Sequence, residues 1–340
     1  SYVFSGSMLG TEFKGISSFP VGYVERITMR PLDFEEYCWA VGVSAEVLAG
    51  IRDHMVNRVP VEDYVHEAML RNFRSYLVAG GMPEVVQDYI DSSYSLIRTR
   101  QLQSELVDQY RTDIAKYAGK RAFAVRSIFD RLPLELEGEN HRFILSSLKE
   151  GARLDEYAED FLWLTNAGVG LNVSRATEAR SPLLRTESAS FFKLYESDTG
   201  MLVSRYPQST ARAIYLDQKS ANLGGVFENA VAQELAALGI PAWYYFTTAE
   251  GEVDFLVDGK GGRVVPIEVK SGVKVRSHAA LDNLLAKPGL RISEAIVLSR
   301  ENVSQEGKVT YLPIYMTFCL DELVEREADA GDFRFAPVAL

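Results

Sequence analysis

The sequence predicts an α/β protein, α+β in its overall layout, in which a helix-rich part precedes a strand-rich part. Before about residue 216, apolar residues recur at helical spacing, as in Phe73, Tyr76 and Leu77. After Ser220, short segments rich in β-forming residues dominate and are interrupted by helical segments. The chain has 340 residues, which corresponds to two or three domains at about 150 residues each.

The composition is that of an ordinary globular protein. With 47% hydrophobic and 24% charged residues, it excludes fibrous proteins and wholesale disorder. No apolar run reaches about 18 residues, so no membrane span is predicted. Two cysteines, Cys38 and Cys319, cannot form a disulfide framework and are expected in the core, which indicates a reducing, cytoplasmic setting. The net charge of −11 argues against nucleic-acid binding by the whole surface, whereas a local basic groove stays open.

The first 30 residues predict a strand, a polar turn, a loop and a second strand over Tyr23–Arg30. The opening residues have no signal-peptide pattern and resemble the inside of a buried strand. We therefore expect a further segment upstream of this chain, although an ordinary first strand explains the same pattern.

A helix is expected to begin after Asp33, because Asp33 can cap it and Glu36 completes a capping box. Helices continue to Gly80-Gly81, where the chain breaks and Pro83 can open the next helix. A long helix is then predicted over 84–118, followed by three shorter helices within 122–168.

An extended pair, 169–176 and 190–195, follows these helices. Three helices closed by a β-hairpin is the order of a winged helix, which would bury Phe161, Leu162 and Leu164, and a small helical connector fits the pattern equally well. After Ser220 we expect a helix, three strands, a helix and two strands. Their predicted bounds are Val226–Leu238, Ala242–Phe246, Val253–Val257, Val264–Val269, Ala279–Leu285, Ala295–Leu298 and Val309–Pro313.

Four charged residues after Ser220 form the candidate site. Glu268 and Lys270 are two residues apart on a predicted strand, so both point to one face while their apolar neighbours point into a core. Asp254 lies on the preceding strand, a hairpin's length away, and Glu228 can approach from the covering helix. Charged groups on an apolar strand are costly to bury unless they are paired or bound to metal.

This set has a specific chemistry. Carboxylates of Glu228, Asp254 and Glu268 could hold one or two Mg²⁺ ions. The metal would neutralise a scissile phosphate and acidify a bound water, which makes Asp254, Glu268 and Lys270 the candidate catalytic residues. The alternative is an exposed Glu–Lys pair on one strand, with Asp254 capping a turn.

Several motifs, taken together, resemble a large prokaryotic family that joins an AAA+ ATPase module to a C-terminal domain of unknown function. The site region contributes Gly-Gly-Val-Phe-Glu-Asn-Ala-Val, Glu-Val-Asp-Phe and Ile-Glu-Val-Lys-Ser-Gly, which begin at residues 224, 252 and 267. Further stretches match in order: Phe4–Ser7, Phe19–Gly22, Met29–Tyr37, Gly80–Glu84, Asp113–Ile114, Phe192–Tyr195 and Asp198–Gly200.

The resemblance implies three parts. Residues 1–83 would be the end of a truncated AAA+ module with its helical part, 84–216 a helical and winged-helix region, and 217–340 a PD-(D/E)XK, restriction-endonuclease-like domain. In the AAA+ core, Ser5 and Ser7 would end the sensor-1 strand and face the γ-phosphate of ATP, whereas a plain strand-ending turn is the alternative.

The chain departs from this family in its nucleotide-binding motif. Gly-Lys occurs at residues 119, 259 and 307, and none of these pairs is followed by Ser or Thr, as a phosphate-binding loop requires. ATP is therefore expected only in a longer chain, and this chain should not hydrolyse it. In addition, Tyr23 follows Phe-Pro-Val-Gly where many relatives carry a basic residue.

Two functions follow as hypotheses. The first is a Mg²⁺-dependent nuclease whose action on DNA an ATPase module would regulate. The second is a non-catalytic module that binds DNA or a protein. Both hypotheses allow a homo-oligomer, and neither includes a membrane partner.

Overall fold

The computed structural model describes residues 27–138, 141–218, 223–272 and 274–324. In these residues, helices and one mixed β-sheet form an α/β architecture, which confirms the predicted fold class. The strands predicted within residues 1–26 lie outside the described residues. The second of them was predicted to continue to Arg30, and this is wrong for 27–30, which form no strand and expose Ile27 and Met29.

Helices make up most of the first part of the chain, and none in the described ranges is long and apolar enough to cross a membrane. Numbered along the described residues, they are α1 Phe34–Ala40, α2 Ala45–Asn57, α3 Asp63–Ala79, α4 Pro83–Asp91, α5 Leu96–Tyr117, α6 Ala122–Glu137, α7 Leu154–Asn166, α8 Thr199–Ser204, α9 Gln208–Tyr215, α10 Gly224–Ala237 and α11 Ala279–Ala286. Short 3₁₀ helices cover Gly119–Arg121, Leu145–Ser147, Leu183–Thr186 and Ile314–Leu323.

The helix starts follow local sequence signals. Asp33 and Glu36 form the predicted capping box of α1, and Pro83 occupies the first turn of α4. The single helix predicted over 84–118 is wrong, because the chain breaks at 92–95 into α4 and α5. Ser93 and Tyr94 have φ of 55° and 65° there, and a run of small polar residues offers the backbone hydrogen bonds outside a helix.

The described strands form one eight-stranded sheet in the order β2-β1-β3-β4-β5-β6-β8-β7. Their bounds are β1 Gly170–Ala176, β2 Glu187–Glu196, β3 Ala242–Thr247, β4 Gly251–Gly259, β5 Arg263–Val269, β6 Ala295–Ser299, β7 Ser304–Glu306 and β8 Val309–Pro313. The pairs β1–β3, β5–β6 and β6–β8 are parallel, and the others are antiparallel.

The predicted hairpin exists as β1 and β2, yet it belongs to the large sheet, because β1 pairs in parallel with β3. The sheet therefore contains strands from both sides of the domain boundary that was predicted between residues 216 and 217. Phe161 and Leu164 on α7 are buried as predicted, whereas the burial predicted for Leu162 is wrong, since it is 58% exposed. Leu162 is one residue from Phe161 and thus about 100° off the apolar stripe. The three-part division of the chain stays a prediction.

Apolar side chains cover both faces of the sheet. On one face, α10 packs with α1, α3 and the 3₁₀ helix Ile314–Leu323. The core that they form includes Phe34, Phe73 and Phe227. On the other face, α11 packs on a smaller cluster that includes Leu256 and Val297. The two cysteines are buried in the first core, and burial raises the pKa of both thiols, as expected of inert core residues.

Candidate functional site

The hairpin of β4 and β5 brings two of the predicted carboxylates together. Phe255 pairs with Ile267, so the next position along the register places Asp254 beside Glu268. Asp254 Oδ2 accepts the backbone N–H of Val269 at 2.8 Å. The strand order and turn predicted from sequence thus put both acids at the same end of the hairpin.

Lys270 lies next to Glu268, as their two-residue spacing predicts. Its Nζ donates to Glu268 Oε1 at 2.7 Å, and the lysine side chain is 25% exposed. Glu268 itself is buried, and its other oxygen, Oε2, has no hydrogen-bond partner among the described residues. Lys270 therefore connects a buried, half-satisfied carboxylate with the solvent.

A β-bulge lies at Asp254. The register between β3 and β4 shifts between Trp243 and Tyr245, so that Asp254 and Phe255 both lie opposite Tyr244. A bulge of this kind bends the strand and changes the direction of a side chain, and bulges are frequent near functional sites. Sequence reasoning missed the bulge, because nothing in this strand's alternation marks an extra residue.

Glu228 lies on α10, the helix on which it was expected, and side chains already occupy both of its oxygens. His141 Nδ1 lies 2.6 Å from Oε1. Lys193 Nζ and the Tyr195 hydroxyl donate to Oε2 at 3.1 and 2.9 Å. The sequence motif Phe192–Tyr195 supported the family resemblance without suggesting that Lys193 and Tyr195 would contact Glu228.

Lys193 also joins a second acid, Glu252 on β4. Its Nζ lies 2.6 Å from Glu252 Oε1, and Arg142 binds the other oxygen of Glu252 through Nε at 3.0 Å. The Arg142 guanidinium also stacks over the Phe246 ring at 3.9 Å. Two glutamates are thus balanced by one lysine and one arginine beside the Asp254–Glu268 pair.

The pKa shifts distinguish Asp254 and Glu268 from Glu228. Burial raises the pKa of Asp254 well above its ordinary value, and the charges of Glu228 and Glu268 raise it further. Burial also raises the pKa of Glu268, although Lys270 opposes the shift. For Glu228 the effect of burial is outweighed by Lys193 and His141, so its pKa lies below the ordinary range.

The described residues contain no group of three or more His, Cys, Asp or Glu side chains placed to hold a metal ion. The structure therefore does not assemble Glu228, Asp254 and Glu268 into one coordination shell, and metal binding by these residues stays a prediction. His278, at the start of α11, is buried, and it slightly opposes the rise that burial causes in the pKa of Glu268. Its Nε2 lies 2.8 Å from the Tyr311 hydroxyl.

Ser5 and Ser7, the predicted ATP contacts, are outside the described residues. Three arginines of the region 121–142 are ion-paired within the protein. They are Arg121 with Asp160, Arg126 with Asp130, and Arg142 with Glu252.

Comparison with known families divides the chain at the same place as the sequence composition. Residues 70–211 match a family described as a domain of unknown function (DUF8612). Residues 223–316 match a second, also described as a domain of unknown function (DUF4143). No match was found among curated proteins or among solved structures. The second range contains Asp254 and Glu268, whereas Lys193 lies in the first, so the site is assembled from both.

Proposed function

We propose that Asp254 and Glu268 hold one divalent cation, Mg²⁺, and that this site cleaves phosphodiester bonds in DNA. The observation that carries the proposal is Glu268 Oε2, a buried carboxylate oxygen without a hydrogen-bond partner in the described part of the chain, beside a second buried acid. A buried carboxylate oxygen without a hydrogen-bond partner is costly, and oxygen ligands of this type suit Mg²⁺. When both acids are ionised, the net charge of Asp254, Glu268 and Lys270 is one negative, which leaves room for an added cation.

The chain's own residues have defined roles in this proposal. Asp254 and Glu268 supply the metal-binding oxygens, and the hydrogen bond from the Val269 N–H holds Asp254 in place. A bound Mg²⁺ would supply charge neutralisation at the scissile phosphate and a more acidic water. Lys270, which reaches the solvent, would hold a phosphate oxygen of the substrate.

The family resemblance extends the proposal to the whole protein. It supports a fragment of an AAA+-type ATPase whose PD-(D/E)XK-like, nuclease-like domain cleaves DNA under the control of ATP bound in a longer chain. The alternative is a non-catalytic module that binds DNA or a protein. This alternative is supported by Glu228, because Lys193 and Tyr195 already satisfy one of the three predicted metal-binding carboxylates.

Mn²⁺ binding separates the two functions. Mn²⁺ should raise the unfolding temperature of the chain, because a ligand that binds only the folded state stabilises it by mass action. Asp254→Asn should abolish this shift and Mg²⁺-dependent cleavage of plasmid DNA, whereas Asp155→Asn, at an exposed position on α7, should change neither. An equal Mn²⁺ shift in Asp254→Asn would exclude the metal site. A shift without cleavage would favour the binding module.

A further inference from the structure

Lys193 is a fully buried cation. Its side chain on β2 has 0% exposure, and its Nζ lies 3.1 Å from Glu228 Oε2 and 2.6 Å from Glu252 Oε1. A lysine is almost never buried so completely unless it is paired, since removing an ammonium group from water is costly. The two carboxylates therefore hold this ammonium group in the same way that they would hold a bound ion.

The oxygens around Lys193 are all satisfied. The second oxygen of Glu228 is bound by His141, and the second oxygen of Glu252 by Arg142. Glu268 differs, because its Oε2 has no partner in the described part of the chain. Glu228 and Glu252 are thus a pair whose oxygens are all bound by side chains. Asp254 and Glu268 are a pair that, when ionised, lacks one positive charge.

We propose that Lys193 takes the place of a second metal ion, so that the protein binds one divalent cation and not two. In this arrangement Glu228 is not a metal ligand; it holds Lys193, and the single cation lies at Asp254 and Glu268. The part of this inference that concerns the single cation rests on the proposed function, whereas the role of Lys193 stands on its own contacts.

Electrostatics explain why a second ion would not bind. Both Glu228 Oε2 and Glu252 Oε1 lie within hydrogen-bonding distance of the same nitrogen, so a metal at these oxygens would have to displace a tethered charge of the same sign. Removing the ammonium group leaves Glu228 Oε2 and Glu252 Oε1 without the positive partner that they share, and a divalent cation can then bind these two oxygens.

The test is the number of Mn²⁺ ions bound by the full chain, measured by isothermal titration calorimetry. Wild type should bind one ion, Lys193→Met two, and the double variant Lys193→Met/Glu228→Gln one. Adding Asp254→Asn to each variant should remove one ion, which identifies the lost ion as the one at Asp254 and Glu268. Two ions in wild type would overturn the proposal, as would a folded Lys193→Met variant that binds no more ions than wild type.

Folding provides a second measurement, because Lys193→Met could unfold in the absence of metal. In that case Mn²⁺ should restore its circular dichroism spectrum, whereas a spectrum that Mn²⁺ leaves unfolded would overturn the proposal. No binding to wild type, together with one ion in Lys193→Met that is lost in the double variant, would refute the proposed function alone. The role of Lys193 as the replacing cation would then still hold.

Discussion

Glu234 on α10 is a buried acid without a cation in the described residues. Its Oε1 accepts the backbone N–H of Phe34 and the hydroxyl of Tyr76, both at 2.9 Å, and its Oε2 has no partner in the same part of the chain. Burial raises the pKa of Glu234 well above its ordinary value, and the charge of Asp33 raises it further. The protein therefore folds around a carboxyl group that retains its proton to higher pH than in the unfolded chain.

Glu234→Gln should make the protein less sensitive to alkaline pH. Because the folded state binds this proton more tightly, the free energy of unfolding falls as pH rises from the ordinary glutamate pKa through the raised one. Glutamine keeps the acceptor oxygen and does not titrate, so the stability of the variant relative to wild type should grow with pH. Urea unfolding between about pH 5 and pH 9 measures this difference.

The matched control is Glu105→Gln, at an exposed position on α5. It should leave the pH dependence of the free energy of unfolding unchanged. A difference between Glu234→Gln and wild type that is the same at every pH would contradict the assignment of a raised pKa to Glu234.

At the scale of elements, glycines allow three helices to meet. Gly80, with φ of 77°, ends α3 just before α4, and Gly200 lies in α8. Asp198 caps α8 by accepting the Met201 N–H at 2.8 Å, and it also accepts the Gly81 N–H at 2.6 Å. A Cβ on Gly200 would lie 2.4 Å from the backbone nitrogen of Gly80, so the backbones approach as closely as only glycine permits.

Gly200→Ala should therefore destabilise the protein, by about 1–3 kcal/mol or more, because the added methyl group overlaps backbone that cannot move aside. Gly50→Ala is the matched control, since a methyl group added to this helical glycine in α2 would have nothing within 4 Å. The control should stabilise the protein by up to about 1 kcal/mol through helix propensity. Chemical denaturation measures both, and a Gly200→Ala variant as stable as wild type would refute the close approach.

At the scale of the whole molecule, the helical part and the sheet share one core. Phe73 on α3 makes an edge contact with Phe34 at 5.1 Å and another with Phe227 on α10 at 6.2 Å between ring centroids. The parallel pairing of β1 with β3 joins the two parts a second time. Unfolding of one part should therefore unfold the other.

Phe73→Ala should lower the free energy of unfolding by about 3–5 kcal/mol, the cost of removing a buried aromatic ring. Hydrogen exchange should accelerate in β4 and β5 as well as in α3, because all three depend on the shared core. Phe123→Ala is the control, since Phe123 is 85% exposed and its loss should change stability by no more than about 0.5 kcal/mol. Acceleration confined to the helices would show that the two parts unfold independently.

Short-range features of this fold were predictable from sequence. The capping box of α1, the first turn of α4 and the side-by-side placement of Glu268 and Lys270 depend on residues two or three positions apart. The strands from β3 to β8 follow from β-forming residues and turns, apart from the short β7, which the sequence did not indicate. The break between α4 and α5 was missed because the apolar pattern continues on both sides of it.

The sequence by itself determined the α/β class, the β4–β5 hairpin and the candidate residues Asp254, Glu268 and Lys270. These depend on local periodicity, which the chain displays directly. Only the tertiary structure decided that Lys193 neutralises Glu228, that a bulge lies at Asp254, and that β1 extends the sheet. The physical reason is separation along the chain: contacts between residues 35 or 87 positions apart, as for Glu228 with Lys193 and His141, arise from packing that no local pattern encodes.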